Sequence, residues 1–318
     1  MPHRLRHLLG IEPLSAAQIA DLLEQAKPFQ EIQRHPLKKL ATLRGKSVAL
    51  AFFEPSTRTR ISFATAATRL GADTMQLQAE ASSLQKGESL LDTVWTLDAM
   101  KPDCIVMRHR SSGAPHFVAQ HLEIPVINAG DGMHEHPTQA LLDALTIRDR
   151  KGTLEGLRVA IIGDILHSRV ARSNIHLLAK FGCRFTLVGP AMWVPRELED
   201  LAPHVRRVAR IEEALEGTDV VLVLRVQLER LHEPALPLDE YIHLYQLTPE
   251  RLHRAKPDVI VLHPGPMNRG VEIDPVVADG PHSCILEQVT NGVAVRMNLL
   301  YVLIGGPPLG MEETHAAD

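Results

Sequence analysis

The chain has 318 residues, 45% of them hydrophobic, a length that suits two domains of about 150 residues each. A net charge of −4 argues against binding to nucleic acid or a membrane surface, so an anionic ligand must be held by locally placed arginines. Its three cysteines, Cys104, Cys183 and Cys284, form no Cys-x-x-Cys pair and read as buried thiols in a reducing compartment. No apolar run approaches the ~18 residues of a membrane span, and no signal-peptide core stands at the start, so the expected location is cytoplasmic.

Residues 15 to 33 have helical spacing, with Ser15 as a cap. Ser47 to Phe53 is an apolar run expected to be a strand buried on both faces. Glu54-Pro55 breaks it. Ser56 then suits the N-cap of a helix carrying Ile61, Phe63, Ala64, Ala67 and Leu70 and closed by Gly71. A strand, a tight turn and a helix N-terminus bind anions through free backbone N–H groups and the helix dipole. This turn also holds Thr57, Arg58, Thr59 and Arg60. Cations are unfavourable at a helix N-terminus unless an anion offsets them; the alternative is an ordinary capped helix with a solvated basic turn.

Further strands are expected at 73–78, 104–108 and 125–128, a polar loop at 81–90 leading into a helix to about Met100, and a helix from Pro137 to about Arg150. The second half repeats the alternation, with strands at 157–163, 184–188, 219–224 and 258–263 and helices at 169–181 and 289–304. Residues 226–247 show little regular pattern and read as a lid or a passive loop. The tail, 307–318, is expected to be disordered. The pattern predicts two parallel-sheet α/β domains, divided as 1–150 and 151–288. In such sheets ligands bind beyond the carboxyl ends of the strands. Ser56 to Arg60, Arg108, His136, Asp164, Arg225 and His263 all follow apolar runs, which implies two half-sites facing a cleft. Arg108 could equally be a structural arginine paired with a nearby carboxylate. His134-Glu-His136 is weak evidence for a metal, and Gly163 to Arg169 lacks the Gly-x-Gly-x-x-Gly spacing of a dinucleotide site.

Phe53-Glu-Pro-Ser-Thr-Arg-Thr-Arg-Ile-Ser-Phe63 resembles the carbamoyl-phosphate signature of the aspartate and ornithine carbamoyltransferases. The likeness extends over roughly residues 1 to 306 through His136-Pro-Thr-Gln139, a polar loop with Ser82 and Lys86, Arg169, Arg225-x-Gln227 and His263-Pro-Gly-Pro266. It implies transfer of a carbamoyl group from carbamoyl phosphate to an amine, without metal or organic cofactor. By that resemblance Ser56, Thr57, Arg58, Thr59, Ser82, Lys86 and Arg108 bind carbamoyl phosphate. His136 would donate to the carbamoyl oxygen, Gln139 would bind the amide, and the carbonyls of Gly265 and Pro266, joined by a cis bond, would accept from the amide or the amine. Arg58, Thr59, Lys86, Arg108 and His136 would be the catalytic groups. Arg169 and Arg225, with Gln227 and Lys86, would bind the acceptor. Two guanidiniums suit a dicarboxylate, and the cysteine that ornithine enzymes place after the matching histidine is absent. L-Aspartate is therefore the implied acceptor, in de novo pyrimidine synthesis.

The resemblance further implies a homotrimer whose Ser82 and Lys86 reach a neighbour's site, and a terminal helix, 289–306, that returns to the first domain. A regulatory chain or a dihydroorotase is a possible partner. Rival readings are another amine acceptor, or a silent homologue acting as a scaffold. No side chain is an obvious base, which leaves the departing phosphate as a plausible proton acceptor.

Overall fold

The computed structural model describes residues 5–78, 88–226 and 236–305. Two all-parallel sheets organise them, each with helices on both sides. In the first, β1 (Ser47–Phe52) and β3 (Cys104–His109) are central, flanked by β2 (Asp73–Gln78) and β4 (Val126–Asp131), in the order β2-β1-β3-β4. The second runs β7-β6-β5-β8-β9, from β5 (Arg158–Ile162), β6 (Arg184–Val188), β7 (Val205–Val208), β8 (Val220–Val223) and β9 (Ile260–Leu262). Central strands are apolar along their length because both faces are covered: Val48 to Ala51 and Val220 to Val223 are fully buried.

Helix α1 (Ala16–Arg34) opens on a capping box between Ser15 and Gln18. Helix α2 (Thr57–Arg69) follows β1, α3 (Leu90–Ala99) follows β2, and the short α4 (Ala114–Ala119) follows β3. Helix α5 (Pro137–Lys151) is buried along most of its length and leads from the first sheet to the second, where α6 (Arg169–Ala179) packs against it. The last helix, α11 (Ile285–Ile304), packs against α1, α2 and α5 and so returns to the first half of the molecule. It begins one turn before the expected Val289.

Two expectations need correction. Residues 226–247 are not irregular throughout, because Leu238–Tyr245 form helix α8. Its apolar stripe is too short to read: Tyr241 alone is buried, with its ring 5.7 Å from Trp193. Ser56 does occupy the N-cap position of α2, but its side chain makes no capping hydrogen bond. Ser82, Lys86 and Gln227, the tail from 307, and the middle of the expected loop lie outside the described residues.

Candidate active site

A cavity of about 680 Å³ opens between the carboxyl ends of the two sheets. Every described residue that the resemblance assigns to the site lines it, whereas Arg60, the second arginine of the turn after β1, is not part of its lining. Ser56, Thr57, Arg58 and Thr59 enter from the start of α2, Arg108 from the end of β3, and His136 and Gln139 from the start of α5. Arg169 comes from the start of α6, Arg225 from the chain just beyond β8, and Gly265 and Pro266 from the loop after β9. The peptide bond between Gly265 and Pro266 is cis.

The first wall is a helix end suited to an anion. With no side-chain cap on α2, its first-turn N–H groups are left for another acceptor. Burial, and then the nearby Arg225 charge, lower the pKa of Arg58. Both effects mark a cation held where a negative ligand would relieve it. Gly265 packs on that guanidinium with a positive φ of 64°, and a Cβ there would lie 3.2 Å from Arg58 Cζ. A residue with a side chain there would require the Arg58 guanidinium to give by a few tenths of an ångström.

Glu54, read from the sequence only as a strand breaker, joins the two walls. Its Oε1 accepts from Arg108 Nη2 at 3.1 Å and from Arg169 Nη2 at 2.9 Å, while Oε2 accepts from Arg169 Nη1 at 3.0 Å. Arg108 is thus both paired with a carboxylate and part of the cavity wall. One carboxylate between two guanidiniums offsets their repulsion and fixes both. Arg169 also donates to the Gly132 carbonyl at 3.1 Å. Gly130, with φ 113°, makes room for both side chains: a Cβ there would meet Arg169 Nε at 3.0 Å and Arg108 Nη1 at 3.1 Å.

His136 is buried, and its pKa is pushed well below 6.5 by burial and by Arg108, Arg169 and Arg296. It is a neutral imidazole at physiological pH, which retains one N–H for donation to a carbonyl oxygen. Gln139 donates to Asp143 Oδ1 at 2.9 Å, and Gln288 of α11 donates to the same oxygen at 2.7 Å. Gln288 in turn accepts from the backbone N–H of His263 at 2.9 Å. A hydrogen-bonded line therefore runs from the amide side chain in the first wall to the 263–266 loop in the second. Burial raises Asp143 to about 6, against the opposing pull of Asn174, Gln288, Gln139 and Arg296.

His263 anchors that loop. Its Nδ1 accepts from the Gly265 N–H at 2.8 Å, so Nε2 carries the proton and donates to the fully buried Glu272 at 3.1 Å. Glu272 also accepts from Asn268 N at 2.6 Å, and Asn268 donates to the Val226 carbonyl at 2.8 Å. That ties down the chain directly after Arg225.

Arg296 was missed from the sequence. It lines the cavity, lies 5.2 Å from the Phe63 ring and donates to Ser62 Oγ at 2.7 Å. The available signal was a charge inside the apolar run of α11. Asp143, inside the apolar run of α5, offered the same signal. His134 and His136 diverge: His136 faces the cavity, whereas Nδ1 of His134 turns to Asp131 at 3.0 Å. They do not form one metal site.

Comparison with known proteins agrees with this geometry. Residues 6–149 match the aspartate/ornithine carbamoyltransferase, carbamoyl-P binding domain, and residues 155–303 match the Asp/Orn binding domain of the same family. The aspartate carbamoyltransferase catalytic subunit of Solibacter usitatus is 59% identical over 298 residues, covering 94% of this chain and 99% of that protein. That of Syntrophotalea carbinolica is 56% identical over 305 residues, covering 96% and 97%. Among solved structures, aspartate transcarbamoylase of Trypanosoma cruzi in complex with carbamoyl phosphate superposes with a TM-score of 0.86 at 33% identity, covering 94% of this chain and 95% of that one. The chain belongs to the aspartate/ornithine carbamoyltransferase family.

Proposed function

We propose that this protein is an aspartate carbamoyltransferase, which moves the carbamoyl group of carbamoyl phosphate to the amine of L-aspartate and releases N-carbamoyl-L-aspartate and phosphate. The observation that carries this reading is the pairing, in one cavity, of an uncapped basic helix end with two separate guanidiniums opposite it, Arg169 and Arg225. The first suits a phosphate and the second a dicarboxylate. An acceptor whose second group is a cation, such as ornithine, would be repelled by Arg225. The relatives' shared name and the T. cruzi enzyme's complex with carbamoyl phosphate and aspartate support the same substrates.

In this reading the phosphate sits on the α2 N-terminus, held by Ser56, Thr57, Arg58 and Thr59, and the carbamoyl oxygen receives Thr59, Arg108 and His136. The aspartate amine attacks the carbamoyl carbon. A C–N bond forms, negative charge gathers on the oxygen, and the C–O bond to phosphate breaks. Donors aimed at that oxygen stabilise the transition state, and fixing both substrates across the cleft supplies proximity. Gln139 and the carbonyls of Gly265 and Pro266 hold the amide, and the departing phosphate takes the amine proton. No step calls for a metal or organic cofactor.

Residues 1–150 with the returning helix would form the carbamoyl-phosphate domain, and 151–288 the aspartate domain. The enzyme would serve de novo pyrimidine synthesis in the cytoplasm, as a homotrimer in which Ser82 and Lys86 of one chain, with Gln227, complete a site. A regulatory chain or a dihydroorotase would be a partner from outside this chain. The test is product formation from carbamoyl phosphate with L-aspartate and, in parallel, with L-ornithine. Product with aspartate alone is expected. Product with ornithine alone would overturn the assignment of Arg225, and product with neither, from folded protein, would favour a scaffold.

A further inference from the structure

Outside the cavity, one ring nitrogen each of His116 and His134 and a carboxylate oxygen of Asp131 lie within 4.8 Å of one another. They come from two elements, His116 from α4 and the other two from the end of β4 and the turn after it. We infer that His116, Asp131 and His134 form a site for a divalent transition-metal ion of the zinc class, separate from the carbamoyl-transfer centre.

Four observations carry this. The donor set is right: two imidazoles and a carboxylate are ligands for zinc, and they leave a fourth position for water. The spacing is close to right, because His134 Nδ1 and Asp131 Oδ2 are 3.0 Å apart. Ligands bonded at ~2.0–2.1 Å in a tetrahedron stand about 3.3 Å from each other. Bringing all three donors to that spacing needs a shift of an ångström or so, which the His134 ring permits, since 38% of its side chain faces solvent and lets an ion in.

The carboxylate is also held as a ligand should be. Asp131 is fully buried and accepts from Gly113 N at 2.7 Å, Asn128 Nδ2 at 2.8 Å and Glu135 N at 3.1 Å. Outer hydrogen bonds of this kind orient metal-binding carboxylates. Finally, Nδ1 of His116 is shielded from solvent and has no hydrogen-bond partner among the described residues. A buried ring nitrogen left so is costly, and coordination of an ion through that nitrogen would relieve it. The plain alternative is a turn in which His134 merely bonds to Asp131 and packs on the His116 ring, 5.4 Å away between centroids.

The test is calorimetric titration of Zn2+ into the full-length protein after treatment with a chelator, beside His116→Gln, His134→Gln and the double variant. The expected result is saturation near one ion per chain for wild type and at least about 10-fold weaker binding for each single variant, with melting temperatures in chelator unchanged. Equal uptake by wild type and the double variant would overturn the proposal. Anomalous scattering from wild-type crystals grown with Zn2+ needs no variant: a peak bonded to both rings supports the site, and no peak there contradicts it.

Discussion

The two walls of the cavity are built differently. The wall proposed to hold phosphate is mostly one continuous stretch: β1 ends, Glu54-Pro55 turns the chain, and Ser56 to Thr59 stand at the head of α2. The wall proposed to hold the acceptor is gathered from the α6 start, the chain after β8 and the loop after β9, and its parts are held in place by Glu54, by the His263–Glu272 pair and by the Asp143–Gln288 line. A helix N-terminus supplies anion binding from local backbone geometry alone. A site for two carboxylates has to be assembled from separate elements, so its precision rests on the side chains that fix Arg169 and the 263–266 loop.

That contrast orders the expected effects of mutation. Arg58→Ala removes the cation at the phosphate wall and should lower kcat/KM by about 10³-fold or more; steady-state kinetics with near-normal turnover would remove Arg58 from phosphate binding. Arg225→Ala should instead raise the KM for aspartate by about 10²-fold, since a charge-assisted bidentate pair is lost. A larger loss in carbamoyl phosphate than in aspartate affinity would break the division between the walls.

Asp143→Asn should cost less, about 10-fold in kcat, because it acts through Gln139 and Gln288. It also makes a pH test. Burial raises Asp143 to about 6, so in the wild type kcat should fall as pH drops through 6, when the neutral acid holds the Gln139, Gln288 and Asn174 amides more weakly than the carboxylate does. The sign for stability is opposite. A folded pKa raised above the unfolded value means that protonation favours the fold, a contribution complete below about pH 4 and lost as pH rises through 6. Wild type should therefore lose turnover between pH 7 and 5 without melting earlier on this group's account, and Asp143→Asn should lack that step. The smallest signal is expected from mixing inactive Lys86→Ala and Arg58→Ala chains. If neighbours share sites, mixed trimers should recover a fraction of wild-type turnover, and trimers shown to be mixed yet inactive would mean each chain works alone.

How much could be read beforehand follows the same contrast. The buried strands, the helices opened by Ser15 and Pro137, and the turn at Ser56 are local patterns of spacing and capping, and they stand where expected. β7, whose Val-Arg-Arg-Val is neither an apolar run nor an alternation, and α7 (Ile211–Leu215), little more than one turn long, offered no period to read. Helix α8 hid because it buries one side chain only. Glu54, Asp143 and Arg296 were illegible in role, since what each does depends on partners far away in the chain: Arg169 lies 115 residues from Glu54, Gln288 lies 145 from Asp143, and Ser62 lies 234 from Arg296. A charge amid apolar residues signals that a partner exists without saying which.

The division of the cavity into a phosphate wall and an acceptor wall is tested most directly by calorimetric titration of carbamoyl phosphate, in the cold, into wild type, Arg58→Ala and Arg225→Ala. Wild type and Arg225→Ala should bind with affinities within about 10-fold of each other, and Arg58→Ala should show no saturable heat. Equal loss in the two variants would mean that both guanidiniums serve the phosphate, and the account of two separate walls would be wrong.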